Sequence, residues 1–400
     1  MNLPRLRMGL DIRPTSDPQR PGLLMRDNYR YSDAWIVIPP VLSEVLRFFD
    51  GAHTEQDLQA ELGRLTGQTD PSVAGHLIEV LDRSGFLENA TFSQLRESRH
   101  RAFAESPVRS ALHAGSGYPN EADALRVFVQ GFLEGPSPVV QPGVLGIAAP
   151  HVSPGGGRQS YGAAYRALAP DLRDRTFIIL GTSHYGQANR FGLTRKPFET
   201  PLGTTRTDPV LLNELAEQKA VIMEDYCQVI EHSIEFQVLF LQYLYGPEVR
   251  VLPLLCGSFW PSIESGGRPE DDDAVRRLFG TLGAIAARDA DRLFWVMGVD
   301  MAHIGTRYGD SVAALAERDQ MLRVRERDSD RIASLNAGDP EAFWDKVSEN
   351  RDDLRWCGSS PLYTFMRVVP DARGTLQSYE QWNIDAESVV SFAGISFAKA

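Results

Sequence analysis

Gly146-Ile-Ala-Ala-Pro-His151 and Phe177-Ile-Ile-Leu-Gly-Thr-Ser-His184 are the stretches on which the fold turns. Each is a short apolar run that stops at a histidine. Runs of this length without polar alternation read as strands buried on both faces of a sheet. In an open α/β sheet, ligands bind just beyond the carboxyl ends of the strands. The two imidazoles fall there, 33 residues apart in sequence. Two imidazoles from neighbouring strands can share one metal ion.

Outward from this pair, strand and helix patterns alternate from about residue 110 onward. Strands are expected at 144–150, 176–182, 249–256 and 293–299. Helices are expected at 158–169, 209–218, 232–245, 273–288, 310–337 and 340–349. A strand-rich stretch at 189–207 reads as a hairpin-like insertion, and Thr375–Tyr379 and Ser388–Ser396 read as two further strands. This alternation predicts an α/β domain over 110–400, with a mixed or mostly parallel sheet flanked by helices. Residues 22–90 read as a separate small α+β, winged-helix-like unit, preceded by a tail at 1–21 and followed by a helical linker at 91–109. In that unit a hairpin is expected within Leu23–Ile38. Pro39-Pro40 opens a helix with Val41, Leu42, Val45, Leu46 and Phe49 on one face. Thr54 and Asp57 form a capping-box-like start to a second helix. A third follows Asp70-Pro71, with Val73, Leu77, Val80 and Leu81, and Gly85-Phe-Leu reads as the start of a short strand.

The formal charge of −12 lacks the basic face expected of a nucleic-acid binder, so no nucleic-acid partner is expected. Three widely spaced cysteines without a C-x-x-C pair fit a reducing compartment rather than a disulfide or zinc scaffold. The first residues lack a signal-peptide apolar core, and no apolar run of about 18 residues is present. A cytoplasmic protein without a membrane span is the expectation.

Of eight histidines, four fall at predicted rim positions: His151, His184, His232 and His303. A single histidine at a strand end is more often a structural hydrogen-bonding residue than a ligand. Four at successive rim positions point to one shared site. His151 and His184 are the candidate metal ligands. His232, Asp300 and His303 are candidate catalytic groups, able to orient a ligand or move a proton near neutral pH. Which residue completes a metal site is open; Asp300 and Glu235 are the carboxylate candidates. His232 is expected to begin a helix within Glu231-His-Ser-Ile-Glu235, and Glu231 reads as a helix-terminal dipole residue. Gly155-Gly156-Gly157 after His151 permits close backbone approach, but no Gly-Lys-Ser/Thr follows, so it is not a phosphate loop. Asp271-Asp272-Asp273 reads as a helix cap. Ser183 lies in no G-x-S-x-G elbow. Cys357 precedes a helix, where a thiolate could be stabilised, but reads first as a small buried residue; Cys256 reads as packing.

At these residues the chain resembles the Memo family, also called protein B of the AmmeMemoRadiSam system. The matching stretches are Ala111-Leu-His-Ala-Gly-Ser-Gly-Tyr118, Ala149-Pro-His151, Leu180-Gly-Thr-Ser-His184, Glu231-His-Ser-Ile-Glu235, Val299-Asp-Met-Ala-His303, Cys357-Gly-Ser-Ser-Pro361 and Ser388-Val-Val-Ser-Phe-Ala-Gly394. The resemblance implies a fold like the LigB-type class III extradiol dioxygenases. It implies a pocket lined by His151 and His184, iron or copper as the metal, and radical-SAM and AMMECR-type proteins as partners. Residues 22–90 resemble the PqqD-like family, which implies a peptide or protein ligand for that unit. The chain departs from the Memo pattern at Ala302, where vertebrate-type members carry a metal-ligating cysteine. It also departs at Val229 and Ile230, at Gly117, and at Ser359-Ser360. These departures set a metal-free scaffold against a metal-dependent oxidoreductase.

Overall fold

The structure, a computed structural model, describes residues 2–15, 17–67, 70–135 and 143–400. The chain forms two compact units, Met1–Glu105 and Ser106–Ala400.

In the first unit, strands β1 (Leu10–Pro14), β2 (Leu23–Asp27) and β3 (Trp35–Ile38) form an antiparallel sheet in that order. The residues read as a tail thus supply a third strand to the expected hairpin. They also supply Arg7, which is buried, pairs with Asp27 at 3.0 Å and donates to Gly85 O at 2.9 Å. A buried guanidinium needs such partners to offset its desolvation. Helices α1 (Pro40–Ser43), α2 (Glu55–Thr66), α3 (Pro71–Arg83) and α4 (Ala90–Glu105) follow. The first expected helix is broken, because Glu44–Phe48 tightens into a 3-10 turn. Its apolar face is therefore split: Val45 and Phe49 are buried, whereas Val41 is exposed. Thr54 and Asp57 close a reciprocal capping box at α2; the aspartate reaches the Thr54 N–H as a glutamate would. Gly85-Phe-Leu forms only a bridge from Leu87 to Leu6.

In the second unit the strands are β4 (Val144–Ala149), β5 (Thr176–Thr182), β6 (Phe191–Leu193), β7 (Glu199–Thr200), β8 (Gly203–Thr204), β9 (Val221–Met223), β10 (Arg250–Cys256), β11 (Leu293–Gly298), β12 (His303–Gly305), β13 (Ala372–Asp385) and β14 (Ser388–Lys399). Nine of them form one sheet in the order β12-β14-β4-β11-β5-β10-β6-β9, with β13 paired to β14. The central four, β4, β11, β5 and β10, are parallel, β14 runs antiparallel to its neighbours, and β6 is antiparallel to β10 but parallel to β9. Of the expected 189–207 insertion, β6 joins the main sheet, and only β7 and β8 make a hairpin.

The connecting helices are α5 (Ala122–Leu133), α6 (Arg158–Tyr165), α7 (Pro209–Ala216), α8 (Cys227–Ile230), α9 (Glu235–Tyr245), α10 (Trp260–Ser265), α11 (Asp273–Arg288), α12 (Gln320–Ala337), α13 (Pro340–Ser348) and α14 (Ser359–Val368). Asp272 caps α11 through the N–H groups of Ala274 and Val275. Along β5, Ile178 and Leu180 enter one core cluster, and Phe177 and Ile179 enter the other. The sheet is thus buried on both faces, as its unbroken apolar strands require. Helices α5, α6, α8 and α9 pack on one face, and the remaining six on the other. Each fully buried side chain of this size contributes about 1.5–3 kcal/mol.

Two features position the rim. First, β11 inserts between β4 and β5, so the strands ending at His151 and His184 are not neighbours, and the two histidines meet across the end of β11. Second, Gly181 of β5 and Gly298 of β11 are register partners. A Cβ at Gly298 would lie 2.1 Å from Ser233 O, and one at Gly181 would lie 2.5 Å from Ile234 Cγ1. The paired glycines let the Glu231–Ile234 backbone lie directly on the strand ends. Gly298→Ala is expected to destabilise the protein by about 1–3 kcal/mol through overpacking against a backbone carbonyl. Urea unfolding measures this; an unchanged midpoint would refute the tight approach.

Candidate metal centre

Among the described residues, one donor atom each from His151, His184 and His232 lies within 4.8 Å of the other two. The His184 and His232 rings stack with centroids 5.1 Å apart, and His151 meets them edge-on at 5.0 and 5.3 Å. Of the residues left open as a third ligand, the structure brings His232 into the group with the two strand-end histidines.

Each imidazole is held by a different device. His151 N donates to Asp300 Oδ1 at 3.0 Å, and its Nδ1–H donates to Gly298 O at 2.9 Å. A carbonyl can only accept, so this bond fixes the tautomer and leaves Nε2 with a lone pair. His184 presents both its backbone N–H and its Nδ1 to the Glu231 carboxylate, the latter at 2.9 Å. Its side chain is 29% exposed, so the cluster opens to solvent on this side. His232 lies before α9 rather than within it, because residues 231–234 form a turn. Ser233 Oγ pins that turn to β5 by donating to Thr182 O at 2.8 Å. Glu231 is therefore not the helix N-terminal dipole residue expected; it terminates α8 and holds His184.

Glu235, a carboxylate candidate, is committed elsewhere. It forms a fully buried ion pair with Arg109 and accepts from Tyr118 Oη and from the N–H groups of Leu112 and His113. Burial alone would favour the neutral carboxyl, but the Arg109 charge outweighs it and holds the pKa below the usual value. Arg109 also donates to the carbonyls of Gln228, Val229 and Glu231 at 2.7, 3.2 and 2.8 Å. The pair thus clamps the segment that carries His232. His113, which had no expected role, packs its ring against His232 at 5.7 Å.

Asp300 and His303 border the cluster. Asp300 Oδ2 is 3.5 Å from His151 Nε2, and burial pushes its carboxyl up to about 6. His303 turns its Nδ1–H to the carbonyls of Met301 (2.9 Å) and Arg355 (3.1 Å), and its ring meets Tyr308 at 5.0 Å. It lies outside the three-histidine group. Within that group the charges are uneven. Desolvation disfavours the His184 cation, but Glu231 and Cys357 outweigh it and raise its pKa well above the ordinary value. Burial, with the neighbouring His184 and His151, drives His232 well below it.

Cys357, read first as a small buried residue ahead of a helix, does precede α14 and reaches the cluster. Its Sγ lies 3.3 Å from His151 Nε2 and 3.6 Å from Asp300 O. Burial raises its pKa, but His151 and His184 outweigh burial and bring the thiol below its usual range. Cys256, buried in β10, packs as expected. Beside the cluster a cavity of about 290 Å³ is lined by Ser183, His184, Trp260, Arg355, Cys357 and Ser360, among others. That volume lies at the small end of ligand pockets.

Fold and site together define an α/β protein with a histidine cluster at the carboxyl rim of a largely parallel sheet. The family model described as Memo-like protein matches residues 109–396, and the chain belongs to that family. It is similar over 98% of its length to 99% of a MEMO1 family protein of Aquifex aeolicus, at 27% identity. A MEMO1 family protein of Thermus thermophilus is 28% identical over 72% of this chain and 82% of the relative. One of Pyrococcus furiosus is 27% identical over 73% of this chain and 100% of the relative. Among the described residues, no helix is long and apolar enough to cross a membrane.

Removing one partner of a buried ion pair strands the other charge. Arg109→Ala is expected to cost about 3–5 kcal/mol in chemical denaturation; a loss below about 1 kcal/mol, the value of an exposed pair, would contradict the clamp.

Proposed function

We propose that His151, His184 and His232 hold one iron or copper ion and that the protein acts as a metal-dependent oxidoreductase of the Memo type. The observation that carries this is the convergence of three imidazoles, two of them with Nδ1 engaged so that Nε2 faces the cluster as the ligating nitrogen. Metal-bound histidines characteristically give their other ring nitrogen to a carbonyl or carboxylate, which orients the ring and raises its basicity. The donor set also fits by size. Three atoms no more than 4.8 Å apart lie within about 2.8 Å of a common centre, and bonds of about 2.0–2.1 Å require only small side-chain rotations.

An iron or copper ion there would supply one-electron or oxygen chemistry. The protein's own groups would do the rest. Glu231 orients His184, while His232 stays neutral and available as a ligand. Asp300, with its pKa raised to about 6, would hold or release a proton beside His151. The open His184 side admits a small substrate from the adjoining cavity.

Full-length protein purified without oxygen and loaded with Fe(II) or Cu(II) is expected to retain about one ion per chain after desalting. The His151→Ala/His184→Ala double variant should retain none. Glu231→Gln should bind roughly ten- to a hundredfold more weakly while remaining folded. Wild-type retention matched by the double variant would remove the basis for this reading.

A second reading, an adaptor that binds a peptide or a radical-SAM or AMMECR-type partner through a PqqD-like N-terminal unit, has one observation in its favour. Trp35 is 62% exposed on β3, an edge of the three-stranded sheet. Exposed edges accept an added strand, with side-chain pockets giving specificity. This reading expects peptide or partner binding that survives the histidine double variant and falls at least about tenfold in Trp35→Ala. Binding abolished by the histidine changes would sink it.

A further inference from the structure

Cys357 reaches the histidine cluster by a route that the sequence conceals. The turn before it carries four non-glycine residues in left-handed conformation: Asn350, Arg351, Asp352 and Arg355, with φ of 51°, 56°, 50° and 53°. Such backbone persists only where its surroundings over-determine it. Here three arginine–aspartate pairs do so. Arg327 holds Asp353 at 2.9 and 2.6 Å, Arg331 holds Asp352 at 2.9 Å, and Arg355 holds Asp310. Trp356 Nε1 then anchors the next residue to buried Asp328 at 2.7 Å. Gly358 completes the approach: a Cβ there would stand 2.6 Å from Asp300 O.

The turn delivers Sγ to His151 Nε2 at 3.3 Å, and Cys357 lines one cavity with His184. A tetrahedral ion with metal–sulfur and metal–nitrogen bonds of about 2.3 and 2.0–2.1 Å separates those two donors by about 3.6 Å. The observed spacing is within a few tenths of an ångström of that edge. A second feature of the same cavity points to a ligand. Ser183 is 8% exposed, lines the cavity with His184 and Cys357, and has a buried Oγ without a hydrogen-bond partner. Ala302 contributes only a buried methyl to the core.

We propose that Cys357 Sγ joins His151, His184 and His232 as a fourth, thiolate donor, giving the centre three nitrogen ligands and one sulfur ligand for a thiophilic ion such as copper or iron. This rests on the three-histidine reading above. Binding displaces the thiol proton, which leaves to solvent. The sulfur makes the site softer than three imidazoles alone and favours copper(I) over hard cations.

Co(II) is the probe, loaded into the full-length protein. A thiolate-to-cobalt charge-transfer band is expected in wild type, lost in Cys357→Ser and retained in Cys256→Ser and Cys227→Ser. X-ray absorption of the wild-type Co(II) form should show a sulfur neighbour at about 2.3 Å; this measurement does not depend on any variant folding. Cys357→Ser should still bind cobalt, and through the same histidines. Histidine-dependent cobalt without a band or a sulfur neighbour, or a band that survives Cys357→Ser, overturns the fourth donor and leaves the three-histidine site standing. A wild type that binds no stoichiometric cobalt overturns both.

Discussion

The rim depends on how closely the Glu231–Ile234 backbone can lie on the ends of β5 and β11. Only glycine at 181 and 298 leaves room for that contact. The turn is then tied from every side. Ser233 Oγ binds Thr182 O, Arg109 binds three carbonyls of the approaching chain, and Gln237 Nε2 binds Pro150 O beside His151. Each bond satisfies a buried polar group that would otherwise cost about 1–3 kcal/mol. Their common effect is to place His232 over two strand ends that it does not follow in sequence. A centre built from a turn in this way is only as rigid as its clamp, which explains why so large a charge pair as Arg109–Glu235 is buried beneath it.

The large sheet was legible because both faces are covered. A strand buried on both sides must be apolar throughout, so β4, β5, β10 and β11 stand out within a residue or so of their observed ends. The strand order was not legible: nothing in the apolar runs says that β11 lies between β4 and β5. Local capping chemistry was read correctly at Thr54 and Asp272, where the partners are two or three residues away. Arg7 and β1 were missed because their partners are distant: Asp27 is 20 residues from Arg7, and Gly85 is 78.

The same distinction divides the site. His151, His184 and His232 could be nominated because each sits at a motif that marks a rim position. The groups that give them their properties were invisible for want of any local signal. Glu231 is 47 residues from His184, Arg109 is 126 from Glu235, and Cys357 is 206 from His151. A spacing of four would put Glu231 and Glu235 on one face of a helix. The turn between them separates their roles: one carboxylate faces the imidazoles, and the other faces the guanidinium below.

Electrostatics gives the arrangement its direction. Three imidazoles in contact bring no anion of their own, and charging more than one would set cations about 5 Å apart, at the observed ring spacing. The structure surrounds them instead with acceptors of positive charge: Glu231 on His184, Asp300 on His151, and the Cys357 sulfur beside His151. With only protons available, the cluster can use that capacity once, at His184, while His232 is forced neutral. A divalent ion held as proposed would use it fully, by replacing the proton on His184 and the proton on sulfur at the same time. On that proposal metal and protons would compete for one pocket, and affinity would fall as pH falls through the range in which His184 takes its proton. The exposed side of His184 would be the route of that exchange with solvent.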